Sequence, residues 1–244
     1  MPDINKDIER ILHSDNIDSS DLARIVNELR DEGRYDMIDR LTKDLLQHHY
    51  SDDILLLRAW YLINIEEEYY ESYDILRTIG ESDKVMYPLL HATIVLRSSF
   101  DADKADDILQ MFADGHPTML MSLCIEAARL FVSSGFTDLA EKWLSMYQGV
   151  HNSDYMMVYG DILVAREQAA DAIDVFEGIT TTDNNNAEAW LKLSDALISI
   201  KDYERAITAA QHALDNNSYE RKALENIRLC NICIIRHNNR IINN

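Results

Sequence analysis

The chain has 244 residues, of which 47% are hydrophobic, with only seven glycines and three prolines. So much apolar surface excludes a disordered chain, and so little Gly and Pro excludes a protein built from many strands and tight turns. The formal charge of −20 divides into −24 for residues 1–220 and +4 for residues 221–244, and a body this acidic argues against binding phosphate backbones or anionic membranes.

Taken in chain order, the apolar residues recur at spacings of three and four, the period of helices with one buried face. Residues 3–13 predict a short amphipathic helix carrying Ile4, Ile8, Ile11 and Leu12. They hold five charges with Met1 and Pro2 and no apolar core, so they do not read as a secretory signal. Helices of about 12–16 residues follow. Acidic, amide or hydroxyl residues mark their starts at Ser19–Asp21, Ser51–Asp53, Asp101, Thr137 and Asn184–Asn186. Breaks are expected at Gly33, Gly80, Gly115–Pro117, Gly135 and Gly149. Arg58 interrupts the apolar run Ile54–Ile65, and Glu126 and Arg129 interrupt Met119–Val132, so no run reaches the ~18 residues of a membrane span. With three cysteines, too few for a disulfide framework, a reducing cytoplasm is the expected setting.

Self-similarity organises these helices. Ser153–Asn186 maps onto Ala187–Glu220 without a gap, placing Gly160 over Ser194 and Ala172 over Ala206. Small residues at matched places read as points where two helices cross closely. Weaker copies start near residues 19, 52, 85 and 121, giving six helical hairpins with those starting near 153 and 187. A last helix is expected over 219–237 as a cap, with residues 238–244 frayed. The whole of 1–244 is read as one domain.

Trp190, Leu193, Ser194, Ala206 and Ala213, with Gly160, Ala172 and Phe176 one unit earlier, resemble the tetratricopeptide repeat. Leu197, Ala210 and Ser218 depart from that pattern, and Met156 stands where its Trp would be. The resemblance is strong over residues 153–220 and degenerate before them. It implies an all-α, right-handed superhelical solenoid of about six antiparallel hairpins with capping helices at both ends. It also implies a non-enzymatic scaffold whose first helices line a concave groove. On that register the groove residues are Asp154, Met157, Asp161, Glu188, Leu191 and Asp195, flanked by Val164 and Ile198. Their acidic and apolar mixture suits a protein or peptide segment carrying Lys or Arg and a few hydrophobes. Lys192 and Arg129 stand as isolated cations, so a clamp for a chaperone's C-terminal carboxylate is disfavoured.

Chemistry is weakly represented. Cys230 and Cys233 form a single C-x-x-C inside an apolar helical pattern, where packing is the better reading than redox or zinc chemistry. The eight histidines are scattered, and no cofactor, metal site or catalytic residue is expected. Glu66, Glu67 and Glu68, followed by Tyr69, Tyr70 and Tyr73, read as an exposed turn with packed tyrosines or as an acidic aromatic contact patch. The last helix has a second apolar face at Leu229, Ile232 and Ile235, which suits self-association as a twofold dimer or a wide cap. The expected function is a cytoplasmic scaffold that binds a protein segment in its groove. The alternative is a constitutive subunit of a larger assembly, such as a coat or secretion complex.

Overall fold

The computed structural model describes residues 4–14, 17–80, 82–215 and 220–242. Among them are fourteen α-helices and no strand: α1 Ile4–Leu12, α2 Ser19–Asp31, α3 Tyr35–His48, α4 Asp52–Tyr61, α5 Tyr69–Ile79, α6 Met86–Ser99, α7 Ala102–Gly115, α8 Leu120–Ser133, α9 Thr137–Ser145, α10 Ser153–Ala165, α11 Ala169–Thr182, α12 Ala187–Ser199, α13 Tyr203–Asp215 and α14 Glu220–Ile242. The protein is all-α. Its contacts group residues 1–119 and 120–244 into two compact units. The first holds α1 and the hairpins α2–α3, α4–α5 and α6–α7. The second holds α8–α9, α10–α11 and α12–α13, then α14.

Six helices start on a side chain that accepts a free amide of the first turn. Asp18 takes Ser20 N–H, Ser51 takes Ile54, Asp101 takes Lys104, Asn152 takes Tyr155, Asn186 takes Ala189 and Asp202 takes Arg205. Thr137 is not a cap. The residue before α9 is Phe136, which makes no side-chain cap hydrogen bond, because α9 begins out of a backbone turn.

That turn is repeated in every hairpin. Gly33, Glu67, Phe100, Gly135, Glu167 and Lys201 all have positive φ, and each second helix begins two residues later. In four of the six hairpins the next amide bonds a carbonyl five residues back, as in Arg34 to Leu29 (2.8 Å) and Asp202 to Leu197 (3.0 Å). This is the Schellman arrangement that ends a helix through one left-handed residue. Glycine supplies it without strain at Gly33 and Gly135. The glutamates, Phe100 and Lys201 adopt it against their preference because the hairpin geometry demands it.

Five residues beyond each left-handed position stands a fully buried residue: Ile38, Ser72, Ala105, Ala140, Ala172 and Ala206. All but the first are small, so the paired helices approach closely. Ser72 Oγ donates to Ala59 O (3.2 Å) and Ser194 Oγ to Ala206 O (3.0 Å), each across a hairpin. In the α4–α5 hairpin one extra residue is absorbed by a π-helical turn at Leu62–Glu66, which keeps Ser72 on Ala59. At Gly160 the approach is close: an added Cβ would lie 2.5 Å from the buried ring of Phe176.

The first unit's core joins α1 to α4 through Ile8, Ile11, Ile25, Leu29, Leu41 and Leu45, and a second cluster ties α4 to α6. Arg58, only 7% exposed inside that apolar run, is paired with Asp39 and lies over the Tyr61 ring. Burial opposes ionisation of Asp39, but Lys43 and Arg58 outweigh it and hold the carboxyl below its usual range. The second unit's core runs through Phe176, Leu193 and Leu197 to Cys230 on α14.

Gly160 and Gly178 separate close approach from helix propensity within one hairpin. Gly160→Ala is expected to lower stability by about 1–3 kcal/mol, since overpacking outweighs Ala's gain. Gly178→Ala, exposed on α11 with nothing near its Cβ, is expected to raise it by up to ~1 kcal/mol. Urea unfolding of both variants checks this, and shifts in the same direction would contradict the close crossing.

Candidate functional site

The second unit carries a cleft of about 220 Å³, lined by Asp161 and Val164 of α10, Phe176 of α11, Glu188, Leu191, Lys192 and Asp195 of α12, and Lys222 of α14. One-turn spacing puts Glu188, Leu191, Lys192 and Asp195 on one stripe of α12. The stacking of helix on helix brings α10 and α14 to its two sides. Four residues expected in a groove, Asp161, Glu188, Leu191 and Asp195, therefore meet. Asp154 is exposed on the first turn of α10 and does not line the cleft. Met157 is 4% exposed and packs in the core with Phe176 and Leu193, because its face of α10 meets neighbouring helices.

The carboxylates are not free. Lys192 Nζ lies 2.6 Å from Asp161 and 3.8 Å from Glu188. Lys222 Nζ lies 2.9 Å from Asp195, and Asn226 donates to Asp195 at 2.7 Å. Lys192 is thus no isolated cation, and Arg129 sits 3.6 Å from Glu126 on its own helix. Two lysines serve the three acids, and Glu188, 3.8 Å from Lys192 with 42% of its side chain exposed, is the most weakly paired of the three. Phe176, Lys192 and Lys222 were not anticipated as lining residues. The signal for Lys222 was the repeat itself. Lys192 reaches back 31 residues to Asp161, and Asn226 reaches back 31 to Asp195.

By that register α14 is a seventh first helix. Its buried Ala223 and Cys230 lie 34 residues after the buried Ala189 and Ala196. Asn226, 8% exposed, also donates to Ser194 Oγ (3.2 Å), fixing α14 on α12. The helix continues to Ile242, so residues 238–242, expected to fray, are helical, and residues 243–244 lie outside the described residues. Leu229, Ile232 and Ile235 are 46%, 38% and 58% exposed on its outer side.

The other sequence candidates fall into structural places. Cys230 is buried mid-helix, where burial pushes its thiol up, and buried Cys124 is pushed up to about 11, so neither is an activated nucleophile. Among the described residues no group of three or more His, Cys, Asp or Glu could hold a metal ion. His212 stacks on Trp190, and His91 sits edge-on to Tyr73 and Tyr87, where burial pulls its imidazole down. Glu67 is the left-handed residue after the π-helical turn, and Tyr70 is 90% exposed while Tyr69 packs on the core cluster around Leu76.

Residues 163–218, which span α11, α12 and α13, match the tetratricopeptide repeat family. The chain carries a tetratricopeptide repeat. Repeats of this family generally form non-enzymatic scaffolds for protein contacts. No curated protein matches the chain. Among solved structures, a chain of the crystal structure of the APC/C hetero-tetramer Cut9–Hcn1 matches over 95% of this chain, at 16% identity and a TM-score of 0.39. This chain spans about half, 53%, of the length of that one, and a likeness at this level carries no argument about function. No helix among the described residues is long and apolar enough to cross a membrane.

Asn226 and Lys222 separate anchoring from rim chemistry. Asn226→Ala leaves Ser194 and Asp195 without a buried donor and is expected to cost about 1–3 kcal/mol in urea unfolding. Lys222→Ala, whose side chain is 56% exposed, is expected to stay within about 0.5 kcal/mol of the parent.

Proposed function

We propose that the protein is a cytoplasmic protein-interaction scaffold that holds a segment of a protein partner in the cleft of its second unit. The observation that carries this is the meeting of Asp161, Glu188, Leu191 and Asp195 around one opening, whose exposed apolar surface, Val164, is backed by the buried Leu191 and lies between charged rims. The repeat family supports the same class of role. A segment suited to it places an apolar side chain against Val164 and a Lys or Arg at Glu188. The lysine pairing of Asp161 and Asp195 makes the site less selective for basic partners than the net charge alone implies. Nucleic acid is disfavoured by the −24 charge of residues 1–220.

Selection of a displayed random-peptide library on the full-length protein tests the reading. Enriched peptides are expected to share an apolar residue near a basic one. Their binding should fall at least tenfold in Val164→Asp and in Glu188→Lys, both at solvent-accessible positions, with the helical circular dichroism unchanged. Binding that survives both substitutions would place the contact elsewhere and overturn the reading.

A further inference from the structure

The outer side of α14 takes no part in the cleft and exposes Leu229, Ile232 and Ile235. We propose that this helix pairs with α14 of a second copy of the chain, antiparallel, across a twofold axis passing between residues 230 and 231. Glu225, Leu229, Ile232 and Arg236 follow one another at spacings of four, three and four, so they share one stripe. All four are exposed. The core-facing stripe of Ala223, Asn226 and Cys230 lies on a different side, so the helix stays docked on its own unit while it pairs.

The order of the four residues is self-complementary. An antiparallel twofold about the 230–231 midpoint sets Leu229 against the second copy's Ile232, and Ile232 against its Leu229. The same operation sets Glu225 against Arg236, and Arg236 against Glu225, at the two ends. Two apolar contacts form the centre and two opposite-charge pairs flank them. An isologous interface requires this: a patch that complements itself. A parallel arrangement would oppose Arg236 to Arg236 and Glu225 to Glu225. The second copy is therefore favoured over an acidic partner, although the helix is basic overall, with Arg221, Lys222, Arg228 and Arg236 against Glu225 in its described side chains. The rest of the chain, at −24, would repel a second copy approaching on most other faces.

The test is sedimentation velocity on the full-length protein across roughly 1–200 µM, the range in which a small helix-pair interface dissociates. A monomer–dimer equilibrium is expected for the parent chain. Glu225→Arg opposes Arg to Arg at both ends, and Arg236→Glu opposes Glu to Glu. Each is expected to weaken self-association by about tenfold or more. Mixing the two variants is expected to restore a dimer, because each now complements the other, and the double variant E225R/R236E is expected to dimerise alone. Both positions are exposed, so circular dichroism should be unchanged. A parent chain that stays monomeric throughout would overturn the proposal, as would a dimer indifferent to either reversal or variants that fail to pair on mixing. The cleft reading is unaffected by either result, since E225R retains every lining residue.

Discussion

The close crossing of the two helices in each hairpin is the constraint on which the rest depends. A left-handed residue ends the first helix, the second begins two residues on, and a buried residue, small in five of the six hairpins, meets the first helix three residues later. With so little side-chain volume at the crossing, larger residues such as Leu193 are buried against the neighbouring hairpin, where Met157 and Phe176 lie. The constraint therefore builds a stack, and a stack has a repeating edge on which side chains 31–34 residues apart meet. Lys192 with Asp161, and Asn226 with Asp195, are two rungs of that edge in the second unit.

The helical class and the family were legible because they are written in the quantities a hairpin cannot vary. Gly160, Ala172, Ser194 and Ala206 must be small, and Trp190 and Leu193 must be apolar, so a 34-residue offset shows itself even in one sequence. Turn chemistry was half legible. Gly33 and Gly135 announce a left-handed residue, whereas Glu67, Phe100, Glu167 and Lys201 hold the same conformation with side chains that do not advertise it. The π-helical turn at Leu62–Glu66 was invisible for a related reason: an inserted residue leaves the composition of a helix unchanged.

At the candidate site, four residues chosen by their position along the first helices, Asp161, Glu188, Leu191 and Asp195, line one cleft, and Asp154 and Met157 lie outside it. Met157 was assigned through the family register, but its face of α10 is covered by neighbouring helices. Charge was also misjudged when read as a sum. Three acids look like a sink for cations until the stacking register delivers Lys192 and Lys222 into the same place. Residue counts carry no information about which carboxylates already have partners; the three-dimensional repeat supplies it.

That register makes α14 a wall of the cleft through Lys222 and packs its other side on the second unit's core through Ala223 and Cys230. The claim that it belongs to the folded second unit is tested most directly by hydrogen exchange of the full-length protein, followed by mass spectrometry. Peptides covering 223–234 are expected to exchange as slowly as those of α12 and α13, because Ala223, Asn226 and Cys230 are buried with them. Exchange of that segment at the rate of an unfolded chain, with α12 and α13 still protected, would contradict it.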